Sequence, residues 1–149
     1  MSEAVSNPGP GGSEKWGEVA RAGFQPVPDT LLVKQQALGL DATDIVVLLN
    51  LTSFWWYRDA PPFARTNVIA KRMGVTPRTV QRSMKKLEEK GYIRRDEYDD
   101  GAGNVLPAIY LNGLVDKLAS LAKSDAALSV RMMRSTISHG VSEGDEIPF

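Results

Sequence analysis

The chain has 149 residues, 42% of them hydrophobic, with 18 Lys and Arg balanced by 18 Asp and Glu, one histidine and no cysteine. That supports one ordinary domain with tails and excludes a disulfide framework, a thiolate zinc site and, with His139 alone, a multi-histidine cage. The longest strongly apolar run, Ile45 to Leu51, falls far short of the roughly 20 residues a bilayer span needs, and no charged-then-apolar secretory pattern opens the chain, so a cytoplasmic protein without membrane contact is expected.

Residues 1–23 carry Pro8, Pro10 and a Gly-Gly-Ser run without periodicity and read as a disordered leader, in which Trp16 is the one residue with reason to dock. The folded domain is expected over residues 24–112. Phe24-Gln-Pro-Val-Pro28 leads into a short helix over 29–38 with Asp29 as its N-cap. A stronger start signal follows, because Asp41 can cap the backbone, Asp44 sits three residues on, and Leu40 and Ile45 hold the hydrophobic-staple positions. The spacing predicts a helix from about 42 to 57. Ile45, Leu48, Leu49, Thr52, Trp55 and Trp56 form one face, and Val46, Val47, Leu51 and Phe54 broaden it almost all round, as in a central helix. The aromatic run Phe54-Trp-Trp-Tyr57 at its end suits core packing better than base stacking.

Asp59-Ala-Pro-Pro62 breaks that helix, and Thr66 is placed to cap a short one ending near Met73. Gly74 stops it, Val75 and Thr76 complete a tight turn, and Thr76 then serves as N-cap to a helix with Pro77 at its first position and its end near Lys90. Val80, Met84 and Leu87 recur at i, i+4 and i+7 and face inward, leaving Arg78, Thr79, Gln81, Arg82, Lys85 and Lys86 outward. Tyr92 to Glu97 alternates as a strand, Tyr98 to Asn104 with Gly101 and Gly103 reads as a hairpin tip, and Val105 to Leu111 returns as an edge strand that tolerates Pro107. From Leu114 the apolar residues Leu118, Leu121, Leu128 and Met132 mark an amphipathic helix over 113–139, broken near Ser124, which either packs on the domain or forms a homodimer. Residues 140–149 read as a flexible acidic tail with an apolar tip. The fold class is therefore mainly α with a small β-hairpin.

Charge is segregated along this chain. The window from Arg65 to Arg95 holds ten of the 18 basic residues against Glu88 and Glu89 alone, a local +8 that leaves −8 for the rest. A basic block of this kind is the footprint expected of a phosphate-binding face.

The stretch from Thr66 to Arg95 resembles the winged helix-turn-helix domains of bacterial regulators and of phage and plasmid replication-initiation proteins. The resemblance rests on Ala70 where two helices cross, Gly74 at the turn, Val75, the Thr76-Pro77 helix start and Leu87 followed by Gly91-Tyr-Ile93. It implies that the helix from Pro77 to Lys90 enters the major groove of double-stranded DNA, with Arg78, Thr79, Gln81 and Arg82 at base edges and Lys71, Arg72, Thr76, Lys85 and Lys86 at phosphates. The wing departs from relatives that carry basic residues there: it reads Asp96-Glu-Tyr-Asp-Asp100, and these carboxylates are expected to be solvated rather than to hold a metal.

Glu143-Gly-Asp-Glu-Ile-Pro-Phe149 resembles the acidic, Ile-Pro-Phe-ending tip of bacterial single-stranded DNA-binding protein. The resemblance implies docking of Asp145, Glu146, Ile147, Pro148 and Phe149 into host helicases, primases or repair enzymes. No phosphate-cradling G-x-x-x-x-G-K-[ST] motif and no nucleophile with its base occurs, so neither an enzyme nor a bound cofactor is expected. Two readings remain: a replication-associated, initiator-like factor of a mobile element that recruits host proteins through its tail, or a transcriptional regulator whose tail is incidental.

Overall fold

The computed structural model describes residues 12–55 and 59–141; residues 1–11 of the leader, Trp56 and Tyr57 of the aromatic run, and the tail residues Asp145, Glu146, Ile147, Pro148 and Phe149 lie outside the described residues. From residue 12 the expected disordered leader is helical, with α1 (Gly12–Trp16) followed by a 3-10 turn (Gly17–Ala22). The Pro and Gly content that suggested disorder is concentrated before residue 13, whereas Glu14 to Ala22 is rich in residues compatible with helix. Ala20 is buried there, while Trp16 stays exposed.

The N-cap position of α2 (Asp29–Val33) is Pro28 rather than Asp29, whose carboxylate instead meets Arg131 at 2.7 Å. This helix is shorter than its sequence suggested; turns over 34–39 place Leu38, only 1% exposed, in the core. The capping box of α3 (Ala42–Ser53) is present in both directions: the Asp44 N–H donates to Asp41 Oδ1 at 2.8 Å, and the Asp41 N–H donates to Asp44 Oδ2 at 3.0 Å. Val47, Leu48 and Leu51 are fully buried, as a central helix requires. Its end comes before residue 57. Asn50, Thr52 and Ser53 turn their side chains onto the carbonyls of Val46, Leu49 and Asn50, and the Phe54 and Trp55 N–H groups take tighter i−3 partners. Such local side-chain bonds compete with helix propagation.

Thr66 does not cap α4 (Thr66–Met73); it is the first helical residue, and its hydroxyl turns inward to lie 3.8 Å from Met84 Sδ. Gly74 closes α4 in the left-handed region, φ 69° and ψ 32°, and the Val75 N–H donates back to the Ala70 carbonyl at 3.0 Å. That reversal needs a residue without a Cβ penalty, and it brings Pro77 directly to the start of α5 (Pro77–Glu89). Val80, Met84 and Leu87 of α5 pack with Ile69 of α4 and the fully buried face of α3 to form the centre of the core.

The wing is an antiparallel pair, β1 (Arg94–Asp99) and β2 (Val105–Tyr110), with Arg94 opposite Tyr110 and Asp99 opposite Val105. β1 starts two residues later than the alternation suggested, because Tyr92 and Ile93 are drawn into the core instead. Tyr92 ties three parts together: its hydroxyl donates to the Leu38 carbonyl at 2.8 Å, and its own carbonyl accepts from the Leu114 N–H at 2.9 Å. Burial raises the Tyr92 pKa above its ordinary value of 10.0. Phe63 forms an isolated bridge to Ala108 on the outer side of β2, where the Ile109 N–H donates to the Pro62 carbonyl at 2.8 Å.

The C-terminal amphipathic segment is two helices, α6 (Asn112–Ser124) and α7 (Ala126–Val141), divided at Asp125. Asp125 caps α7 by accepting from the Leu128 N–H at 3.0 Å and pairs with Lys34 at 2.8 Å, so the residue that interrupts the apolar seam anchors the break. The Lys34 contact comes first among the causes that hold its carboxyl below the ordinary 3.8. No described helix is long and apolar enough to cross a membrane.

Candidate nucleic-acid interface

α5 begins on a side-chain cap. Thr76 Oγ1 accepts from the Thr79 N–H at 3.3 Å and lies 3.2 Å from the Thr79 hydroxyl, while Pro77 supplies the first helical position without an orphaned N–H. From this start, Arg78, Gln81, Arg82 and Lys85 fall on one exposed face. Thr79 is half-buried with its hydroxyl beside the cap, which leaves it the smallest reach of the four expected base contacts. Lys71 and Arg72, both exposed, occupy the last turn of α4 on the other side of the Gly74 reversal.

The ten basic residues of the window divide into two groups. Lys86, Arg94 and Arg95 are paired inside the protein, with Asp44, Asp96 and Glu88 respectively. Among the described residues no carboxylate pairs with Arg65, Lys71, Arg72, Arg78, Arg82, Lys85 or Lys90.

Lys86 departs from its expected place at phosphate. Its ammonium lies 2.6 Å from Asp44 Oδ2 and 3.8 Å from Asp41, and the hydrogen bond to Asp44 raises its pKa above 10.5. Asp44 is only 2% exposed and also accepts from the Ser83 hydroxyl at 2.5 Å. Burial alone would raise the Asp44 pKa, but the Lys86, Ser83 and Asp41 hydrogen bonds and the Lys86 charge outweigh it and hold the carboxyl below 3.8. Asp44 thus fastens α5 to the start of α3. The sequence carries no sign of this second role, because Ser83 and Lys86 lie 39 and 42 residues away.

Arg65 and Phe54 were also not singled out as site residues. The Arg72 guanidinium stands 4.6 Å from the Phe54 ring centroid and that of Arg65 4.9 Å, so one ring holds two cations, one from each end of α4. Arg72 is further steadied by Asn50 Oδ1 and Ser53 Oγ, each at 3.4 Å. These are neutral acceptors and leave its charge available. The signal that could have found this arrangement was the Arg65 charge eight residues after the aromatic run.

The wing tip is organised by its own acids. Asp100 accepts from the Ala102 and Asn104 N–H groups and the Asn104 amide, which holds its carboxyl below the ordinary 3.8 with the Asn104 side chain first among the causes. Asp96 is held low chiefly by the Glu97 N–H. Arg94 stacks 4.4 Å from the Tyr110 ring centroid and pairs with Asp96, so the basic side chain at the base of the wing is engaged within it.

A central helix, a helix-turn-helix pair with an outward basic face and a two-stranded wing define a winged helix-turn-helix domain. The chain belongs to the DnaD N-terminal domain family, whose pattern it matches over residues 27–128. The N-terminal domain of the DnaD protein from Geobacillus kaustophilus HTA426 has the same fold at 25% sequence identity and a TM-score of 0.55, covering 79% of this chain and 96% of that one. A possible transcriptional regulator from Methanosarcina mazei Go1 is a looser likeness, at 22% identity and a TM-score of 0.40 over 79% of this chain and 88% of that one. No curated protein matches the chain.

Proposed function

We propose that this protein is a replication-associated factor that binds double-stranded DNA by laying α5 in the major groove, and that it acts by binding rather than by catalysis. The observation that carries the reading is the exposed set Lys71, Arg72, Arg78, Arg82 and Lys85, carried by the two helices on either side of the Gly74 turn with no acidic partner among the described residues. Arg78, Gln81 and Arg82 are the base-reading candidates, since Arg suits guanine and Gln suits adenine in bidentate contacts. Lys71, Arg72 and Lys85 supply phosphate contacts, which set affinity and its salt dependence. Membership of the DnaD N-terminal domain family supports the link to replication. Mobility-shift titrations at two salt concentrations test the reading. Arg82→Ala is expected to cost roughly 1 to 3 kcal/mol at a specific site, and Lys85→Ala to weaken all sequences alike and flatten the salt slope by about one unit. Unchanged binding of every duplex by both variants overturns it.

The same reading gives the protein a mobile-element origin and a recruiting tail. Asp145 and Glu146 beside Ile147-Pro148-Phe149 combine steering charge with an apolar anchor, the chemistry that suits a pocket rimmed by basic residues. A peptide of residues 141–149 is expected to displace a tip peptide of single-stranded DNA-binding protein from a primase or helicase that recognises it. Failure to compete leaves a plain DNA-binding regulator.

A further inference from the structure

A groove of about 750 Å³ runs between the 22–28 segment, the end of α3 and the first two turns of α6. Its walls are mainly apolar, with Val27, Leu49, Trp55, Val115 and Leu118 among them, and among the described residues Arg72 is the only charged one that lines it. The groove is braced rather than collapsed: the Gln25 side-chain amide donates to the Leu49 carbonyl at 2.9 Å, and its oxygen accepts from the Thr52 hydroxyl at 2.7 Å. An apolar trough with a single guanidinium at its edge fits a short segment in which acids precede apolar side chains. The segment Glu143-Gly-Asp-Glu-Ile-Pro-Phe149 has this pattern, with three acids, no base and an apolar tip.

We propose that this segment docks into the groove of its own molecule, with Ile147, Pro148 and Phe149 against the apolar walls and Asp145 and Glu146 facing Arg72. Reach permits it. Arg131 of α7 is held at 2.7 Å by Asp29, next to Pro28 in the groove wall, so α7 starts beside the groove. From Arg131 to Val141 the helix rises about 15 Å, and the eight residues that follow can extend about 26 Å, enough to fold back. Tethering favours the same molecule over a second copy. A short flexible tether gives an effective concentration in the millimolar range, so a site with a dissociation constant of about 100 µM is about nine-tenths occupied in cis. At micromolar protein a neighbour's tail cannot compete.

Docking would cover Arg72, which the functional reading above assigns to phosphate. Resting on that reading, duplex DNA and the docked tail exclude one another, and by reciprocity DNA binding releases the tail toward a partner. The tail then recruits where the protein is already on DNA.

Because the sequence has no cysteine, Gly144→Cys provides a single site for a nitroxide on the full-length chain. Amide resonances of Leu49, Ser53 and Val115 are expected to lose intensity by about twofold or more, with Gln81 unaffected, reflecting majority occupancy of the groove. Adding Ile147→Asp and Phe149→Asp to the labelled chain should restore those signals. Groove signals that do not change, or whose loss survives the two tip substitutions, overturn the proposal. In an equal mixture of isotope-labelled chains without nitroxide and unlabelled chains carrying it, broadening of groove signals would assign the groove to a second copy's tail and overturn docking in cis. Duplex DNA added to the labelled chain should relieve the broadening; relaxation unchanged while a mobility shift shows DNA bound removes the coupling, whereas failure to bind DNA at all strikes the functional reading and leaves the docking measurement intact.

Discussion

Asp44 serves the Asp41 N–H, the Ser83 hydroxyl and the Lys86 ammonium from one carboxylate, a load that makes it the most constrained polar residue between α3 and α5. Asp44→Asn removes the charge while nearly preserving the shape, and is expected to destabilise the fold by about 1–3 kcal/mol in urea unfolding, since the amide keeps one acceptor oxygen for Ser83 but turns an NH2 group toward the Lys86 ammonium and the Asp41 N–H. The folded-state pKa of Asp44 lies below its ordinary 3.8, so its contribution is fully present above that value and drains away as pH falls through the folded one. Part of the acid-side decline of stability should therefore disappear in the Asn variant. Lys86 has the opposite sign: its raised pKa gives a contribution that is present below 10.5 and lost as pH rises through the folded value. Lys86→Ala should lower stability and leave the salt slope of DNA binding in place, the reverse of Lys85→Ala. A flattened slope with unchanged stability would return Lys86 to the phosphate contacts.

Two elements depend on features that composition hides. α6 starts hard against the turn after α5: a Cβ on Gly113 would stand 1.9 Å from the Gly91 carbonyl oxygen, a backbone atom that cannot swing aside. Gly113→Ala should thus separate α6 from the α5–β1 turn at a cost of about 1–3 kcal/mol, read as a fall in melting temperature. An unchanged melting temperature would show that α6 can slide at its start. Glu97 and Asp99 of the wing are exposed, so a phosphate backbone passing along β1 would meet repulsion there. With Glu97→Lys, binding to arbitrary duplex should tighten and the salt slope steepen by about one to two units as a repulsion becomes a contact. If neither moves, the wing stays clear of the DNA.

Over the whole molecule, the elements legible in the sequence were those specified by local chemistry: the Asp41/Asp44 box, the Gly74 reversal and the Thr76-Pro77 start each involve neighbours a few residues apart, and each stands in the structure. The basic face of α5 was legible for the same reason, since helical periodicity alone decides which of its side chains face out. What was not legible depends on partners far along the chain. Lys86 looked free until Asp44 came within reach, Thr66 looked like a cap until its hydroxyl turned to Met84, and the groove behind Arg72 exists only once the 22–28 segment lies across α3 and α6. The Phe63 bridge to Ala108 belongs with these long-range features, and it bears on how copies of the protein can meet. The bridge engages β2 on its outer side only around Ala108 and Ile109, while β1 carries Arg94, Arg95, Asp96 and Glu97 along the ribbon's other margin. A ribbon with one margin interrupted and the other lined with charge offers a second copy no clean edge to join, so strand-by-strand growth into fibres is disfavoured.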